Sequence, residues 1–369
     1  MDILYTPEIF SNQKYGGISR YYTDLMSEMI RKKNTVILPH IFHNNIHLKE
    51  YQVQNDKKIS GKYINTKTKM LIANHLLNNL LIYKANRELN NRATKYIYHS
   101  TYYNSFLENK YSCKVVTVYD MINEKYGKKY KFPNNNKLIE KKYKAMKNAD
   151  HIIAISNTTK KDILRYYDIK EEKISVVYLN ASKSFTENKI NIKEKKNIIL
   201  YVGNRNYYKN FNILFDAFIH SKSLNENNTL VCFGGEKISK YEKHLVINNN
   251  LSGSIQFITG GSEKLKELYA MSKVFVFSSL YEGFGIPLLE SIHSGCLPLC
   301  FNIDVFNEIG KDSLIYFHNK EDLIEKLEYI LSMNETDYYE NLIKLRNTTN
   351  SFTLENMVLN TEKVYQSLL

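Results

Sequence analysis

The amino-acid sequence predicts an α/β protein of two Rossmann-like, doubly wound domains facing each other across a cleft. Three observations predict it. Short apolar runs rich in β-branched residues alternate with amphipathic stretches, the pattern of parallel strands joined by crossover helices. That pattern restarts after a polar segment near the middle of the chain. The 369 residues suit two domains of roughly 100–200 residues each.

In the first half, strands are expected at Asp2–Tyr5, Val36–Ile41, Tyr96–Tyr98, Lys114–Tyr119, His151–Ile155 and Ile174–Leu179. Helices are expected at Ile18–Arg31, Met70–Asn90, Lys137–Lys147 and Asn157–Tyr167. The run Val115-Val116-Thr117-Val118 has the β-branched content of a buried strand. Ala181 to Lys196 is polar, charged and weakly periodic, and reads as a linker. Beyond it, strands are expected at Ile198–Val202, Leu230–Phe233, Ile255–Ile258, Val274–Phe277 and Leu297–Phe301. Helices at Asn210–His220, Glu263–Met271 and Ile286–His293 lie between them. The expected domains are residues 1–182 and 183–352. A closing helix over 353–369 would pack back on the first domain.

The charge is unevenly placed. Residues 1–200 carry 36 Lys and Arg against 18 Asp and Glu, a net +18; residues 201–369 carry 15 against 20, a net −5. A basic first half suits an anionic partner such as a membrane surface or a lipid-phosphate acceptor. With no recognised nucleic-acid motif and an acidic second half, nucleic acid is not the expected partner. The segment from Met1 to Pro7 lacks the features of a signal peptide, and no run approaches the ~18 apolar residues of a membrane span. The expected location is the cytoplasm, with peripheral contact on the inner face of the membrane. Cys113, Cys232, Cys296 and Cys300 show neither zinc-ligand spacing nor a disulfide framework. His40, His43 and His47 have helical spacing, but Pro39 argues against a helix there, so no metal site is expected.

The chemistry is expected on loops that follow strands. The most informative segment is Ser278-Ser279-Leu280-Tyr281-Glu282-Gly283-Phe284-Gly285-Ile286-Pro287-Leu288-Leu289-Glu290. A strand runs into a glycine-rich loop, and Pro287 falls where a first helical turn begins. Gly283 and Gly285 allow close backbone approach to a ligand. The helix N-terminus suits a diphosphate. Glu282 and Glu290, eight residues apart, can accept hydrogen bonds from sugar and ribose hydroxyls.

This segment resembles the E-x7-E signature of retaining glycosyltransferases of the GT-B fold, and is most similar to glycosyltransferase family 4. Further stretches share the resemblance: Gly16-Gly17-Ile18-Ser19-Arg20, Val116-Thr117-Val118-Tyr119-Asp120, Ala154-Ile155-Ser156-Asn157, Leu200-Tyr201-Val202-Gly203-Asn204-Arg205, Lys209-Asn210 and the turn around Glu308. The resemblance implies a hexosyltransferase using a GDP-sugar or UDP-sugar donor and a glycan or lipid-linked acceptor in bacterial surface polysaccharide synthesis. It implies that Glu290 binds ribose, and that Glu282 with the backbone of Gly283, Phe284 and Gly285 holds the donor sugar. Arg205 and Lys209 would neutralise the diphosphate. Gly16 and Gly17 would approach the donor phosphate, and Gly203 would lie in the donor-binding loop. No Asp-x-Asp motif lies near these segments, and the resemblance likewise implies catalysis without a metal. The family commonly has His-Asp where this chain has Tyr119-Asp120; a phenol is a poor base near neutral pH. Asp120 stays as an acceptor-side carboxylate, and His99 is a further candidate at a strand end. The rival readings are a non-enzymatic protein binding anionic lipid or nucleic acid, and an inactive transferase homologue.

Overall fold

The computed structural model describes residues 1–40, 42–54, 62–63, 69–104, 106–181, 185, 192–205 and 207–369. The chain divides into two units, Met1–Leu179 with Leu354–Leu369, and Asn180–Thr353.

In the first unit the main-sheet strands are β1 (Asp2–Tyr5), β2 (Thr35–Ile37), β5 (Tyr96–Ser100), β6 (Ser112–Val118), β7 (His151–Ala154) and β8 (Ile174–Val176). A separate pair is formed by β3 (Phe42–His43) and β4 (Lys62–Tyr63). The sheet runs β2-β1-β5-β6-β7-β8, all neighbours parallel. Its strand order reverses between β1 and β5. Among the described residues it is accompanied, in chain order, by α1 (Glu8–Asn12), α2 (Gly17–Arg31), α3 (Ile46–Gln54), α4 (Lys69–Asn91), α5 (Ile122–Tyr126), α6 (Asn135–Asn148) and α7 (Asn157–Tyr166). Local chemistry sets their ends. Ser156, for example, caps α7 by accepting a hydrogen bond from the Thr159 backbone N–H at 2.9 Å. The final helix, Leu354–Gln366, contacts α2 and sends Tyr365 into this unit's core.

The second unit repeats the scheme with β9 (Lys196–Val202), β10 (Thr229–Phe233), β11 (Ile255–Ile258), β12 (Ser272–Phe277), β13 (Leu297–Phe301) and β14 (Ile315–Phe317). The order β11-β10-β9-β12-β13-β14, again all parallel, is the 3-2-1-4-5-6 order of a dinucleotide-binding fold. Its order reverses between β9 and β12, which brings the loops after those two strands to one place.

Several expectations need correction. The second strand stops at Ile37 instead of continuing to Ile41; Pro39 has no N–H to give a ladder, and residue 41 lies outside the described residues. Most of the expected linker, residues 181–196, also lies outside the described residues. Within it, Phe185 is fully buried and meets Tyr269 edge-on with 6.1 Å between ring centres. The three histidines fall on different elements: His40 precedes β3, His43 is in it and His47 is in α3. The His40 ring is bonded to the Leu38 carbonyl at 2.9 Å, and His43 Nε2 lies 2.9 Å from Gln52 Oε1. No described helix is long and apolar enough to cross a membrane.

The core of the first unit is unusually phenolic. His99, fully buried at the end of β5, is held by Tyr22 and Thr117 at 3.2 and 2.9 Å and by the Tyr365 hydroxyl. Burial lowers its pKa to about 3, so it is a neutral packing group and not a ligand-facing base. Burial likewise lowers His40 and His47 to about 4. The unfolded chain, with ordinary histidines near 6.5, takes up protons that the folded chain refuses. Stability is therefore expected to fall as pH drops below about 6.5, by roughly 1.4 kcal/mol per pH unit for each such group. Urea midpoints at pH 7 and pH 5 check this; equal midpoints would contradict it.

Candidate functional site

The site in the second unit is built by the two loops at the strand-order reversal. After β9 the backbone passes Gly203, whose φ of +129° is a conformation that favours glycine. Gly235 packs against it so closely that a Cβ there would lie 2.9 Å from the Gly203 carbonyl oxygen. The chain then makes a short turn at Tyr207–Lys209. After β12, the loop is stitched to this turn: Leu280 N–H donates to the Tyr208 carbonyl at 2.8 Å, and the Ser278 hydroxyl donates to the Lys209 carbonyl at 2.9 Å. Lys209 Nζ consequently sits 2.6 Å from Glu282 Oε1, with both side chains largely shielded. An ion pair on two tied loops keeps its geometry without the entropy loss that weakens free surface pairs.

Gly285 begins the next helix, Ile286–His293, in a left-handed conformation with φ of +114°. It offers no side chain to cap the helix. A Cβ at Gly285 would lie 3.1 Å from Phe306. Gly285→Ala is expected to lose about 1–3 kcal/mol of stability from backbone strain and crowding. A thermal melt of the variant checks it; an unchanged transition would show that the loop yields freely. Gly283 and Phe284 lie between Glu282 and this turn, Phe284 buried edge-on against Phe352. Glu290 is 4% exposed, in the second turn of the same helix. Burial, and then the neighbouring Glu290 carboxylate, push the Tyr269 phenol well above its usual range.

Arg205 is placed differently from the expectation of a side chain open to phosphate. Its Nε is 2.8 Å from Glu242, and its terminal nitrogens donate to the carbonyls of Gly234, Glu236 and Lys237. Its guanidinium also stands 4.9 Å from the Phe257 ring centre. It therefore clamps the loop after β10 to the following helix, whose N-terminus is closed by a reciprocal Ser239–Glu242 capping box. The glycine pair Gly234-Gly235, both at positive φ, belongs to this assembly; its signal in the sequence was two glycines directly after a strand.

The remaining candidates belong to the first unit. Gly16 caps and Gly17 begins α2, and the Gln13 side chain already accepts from Ser19 N–H there at 3.3 Å. Tyr119, at the position where the family commonly has histidine, is a packing residue here: it is 5% exposed, edge-on to Tyr21, with its phenol pushed well up by burial. Asp120 is partly exposed. Its carboxylate accepts from Ile122 N–H at 3.0 Å, and its carbonyl accepts from Lys142 Nζ at 2.9 Å.

Comparison with known proteins gives the class. Residues 15–179 match the family described as Glycosyltransferase Family 4, and residues 182–346 match Glycosyl transferases group 1. The chain belongs to these GT-B glycosyltransferases. It is 30% identical over 175 residues to the O-antigen chain mannosyltransferase RfbU of Salmonella typhimurium, a match covering 47% of this chain and 48% of that protein. It is 27% identical over 225 residues to the serotype-specific mannosyltransferase WbdA of Escherichia coli, covering 56% of this chain and 28% of that one. The matches thus span about half of one relative's length and just over a quarter of the other's. Among solved structures, a mutant of S. aureus TarM, in complex with fondaparinux, alpha-GlcNAc-glycerol and UDP, has a TM-score of 0.73 at 12% identity over 99% of both chains. At that identity the likeness concerns the fold.

Proposed function

We propose that the protein is a retaining, metal-independent hexosyltransferase that moves a mannose-type sugar from a nucleotide diphosphate donor to a glycan or lipid-linked glycan. The observation that carries this reading is the Lys209–Glu282 pair, fixed on tied loops beside an uncapped helix N-terminus. In this reading Lys209 neutralises the departing diphosphate. Glu282 holds Lys209 and a donor-sugar hydroxyl, and the N–H groups after Gly285 add positive potential. Glu290 takes the ribose hydroxyls. Arg205 keeps the strand-tip loops in register and adds its charge from behind. The acceptor oxygen attacks the anomeric carbon on the face the diphosphate leaves. The C–O bond electrons go to the leaving phosphate, which also receives the acceptor's proton.

The mannosyltransferase and O-antigen names of RfbU and WbdA support the sugar and the acceptor class. The basic first half supports a lipid-linked acceptor presented at an anionic membrane. So does α4, which exposes Leu77, Leu80 and Tyr83 beside exposed Lys84 and Arg87. Incubation with a panel of GDP- and UDP-sugars, with and without chelator, tests the reading by nucleoside diphosphate release. Release from one donor class in the presence of chelator is expected. No release and no nucleotide binding would end it.

A further inference from the structure

The first unit has a reversal of its own, between β1 and β5. Doubly wound sheets bind ligands outside the carboxyl ends of strands at such points. There the structure has a cavity of about 370 Å³ lined by Glu8, Ile82, Tyr98, Tyr103, Asn104 and Lys141, among others. Glu8 is 7% exposed, and its one hydrogen bond among the described residues is a 3.5 Å contact with the Thr101 hydroxyl. That hydroxyl has a single proton, and the Thr6 carbonyl lies closer to it at 2.8 Å. No described cation forms an ion pair with Glu8. Glu8 thus lines the pocket with most of its acceptor capacity open to a donor-bearing ligand that displaces water.

The walls are fixed in advance. Thr101 N–H donates to the Thr6 hydroxyl at 3.0 Å, and Ile9 N–H to the Thr101 hydroxyl at 3.3 Å, tying the loop after β1 to the loop after β5. On the other side, the buried Lys142–Glu124 pair at 2.9 Å anchors α6, the helix that carries Lys141. The chemistry of the lining selects the ligand. Glu8 accepts paired hydroxyls, and Asn104 can both donate and accept. Tyr103, Ile82 and Leu107 give an apolar wall for a ring's C–H face. The two lysines of the lining, Lys141 and Lys144, disfavour a free cation.

We propose that this pocket holds a hexopyranose unit of the glycan on which the protein acts, gripped by Glu8. The assignment rests on the transferase reading for its biological ligand, but it is tested without it. Saturation-transfer NMR uses methyl hexopyranosides and a short mannose oligosaccharide as probes, with no nucleotide present. Two variants accompany the native chain: Glu8→Gln, and Asn79→Trp, which places an indole into the pocket from an exposed position on α4. Glu8→Gln is expected to weaken binding about tenfold, the loss of one charge-assisted hydrogen bond. Asn79→Trp is expected to abolish binding, and both variants should keep native melting and native nucleoside diphosphate affinity. Failure of every probe to bind the native chain overturns the pocket, as does native-like binding by both variants. Sugar binding with no nucleotide binding by the native chain would remove the transferase reading and leave the pocket established.

Discussion

Replacing Lys209 with methionine is expected to lower nucleoside diphosphate release by about two to three orders of magnitude, the usual effect of deleting one preorganised charge from a transition state. Its ammonium is 2.6 Å from Glu282, and its backbone carbonyl is held by Ser278. The methionine variant therefore keeps the turn and loses only the charge. Because Glu282 then faces the diphosphate uncompensated, Glu282→Gln in the same chain should recover part of the loss. The two changes are expected to be non-additive, as for groups in direct contact. Single-turnover release for the four members of the cycle measures this. A Lys209→Met variant within threefold of native would remove Lys209 from the chemistry.

The largest stability effect is expected at Lys142. Its side chain is 1% exposed and lies 2.9 Å from Glu124, itself 4% exposed, which also accepts from the Tyr167 hydroxyl. Removing one member of a buried pair strands the other charge, at about 3–5 kcal/mol. Lys142→Met should lose that much in equilibrium denaturation. Lys142→Met with Glu124→Gln should lose distinctly less, because the amide carries no stranded charge. Identical losses in the two variants would mean that the stem's packing, and not the charge, is what matters.

Much of the fold could be read from the sequence because its signals are local. Ile255–Ile258, Leu297–Phe301 and Ile286–His293 lie where the apolar runs placed them. Parallel strands buried on both faces are near-continuous apolar runs, and such runs need no distant partner to be recognised. The glycine-rich turn before Pro287 was legible for the same reason: positive φ at Gly285 and a proline in the first turn are properties of neighbours in the chain. Partnerships over long separations were not legible. Arg205 reads as a free cation after a strand until Glu242, 37 positions on, is seen to hold it. His99 reads as a site candidate at a strand end until Tyr365 arrives from 266 residues away. Glu8 gave no signal at all, since its isolation depends on Thr6, Thr101 and α6 together. The Asn-capped helices Lys320–Ser332 and Glu335–Thr349 were not among the expected elements, although Leu323, Leu327 and Ile330 mark the buried face of the first.

The return of the last helix to the first unit bears on how the polypeptide is made. Residues 180–353 are contiguous and can mature as soon as they clear the ribosome. The first unit cannot close until residues 354–366 have been synthesised, because the Tyr5 hydroxyl waits for that of Tyr365, 3.1 Å away in the folded protein. A nonsense mutation within residues 354–365 would therefore damage the unit that was synthesised first and leave the one synthesised later intact.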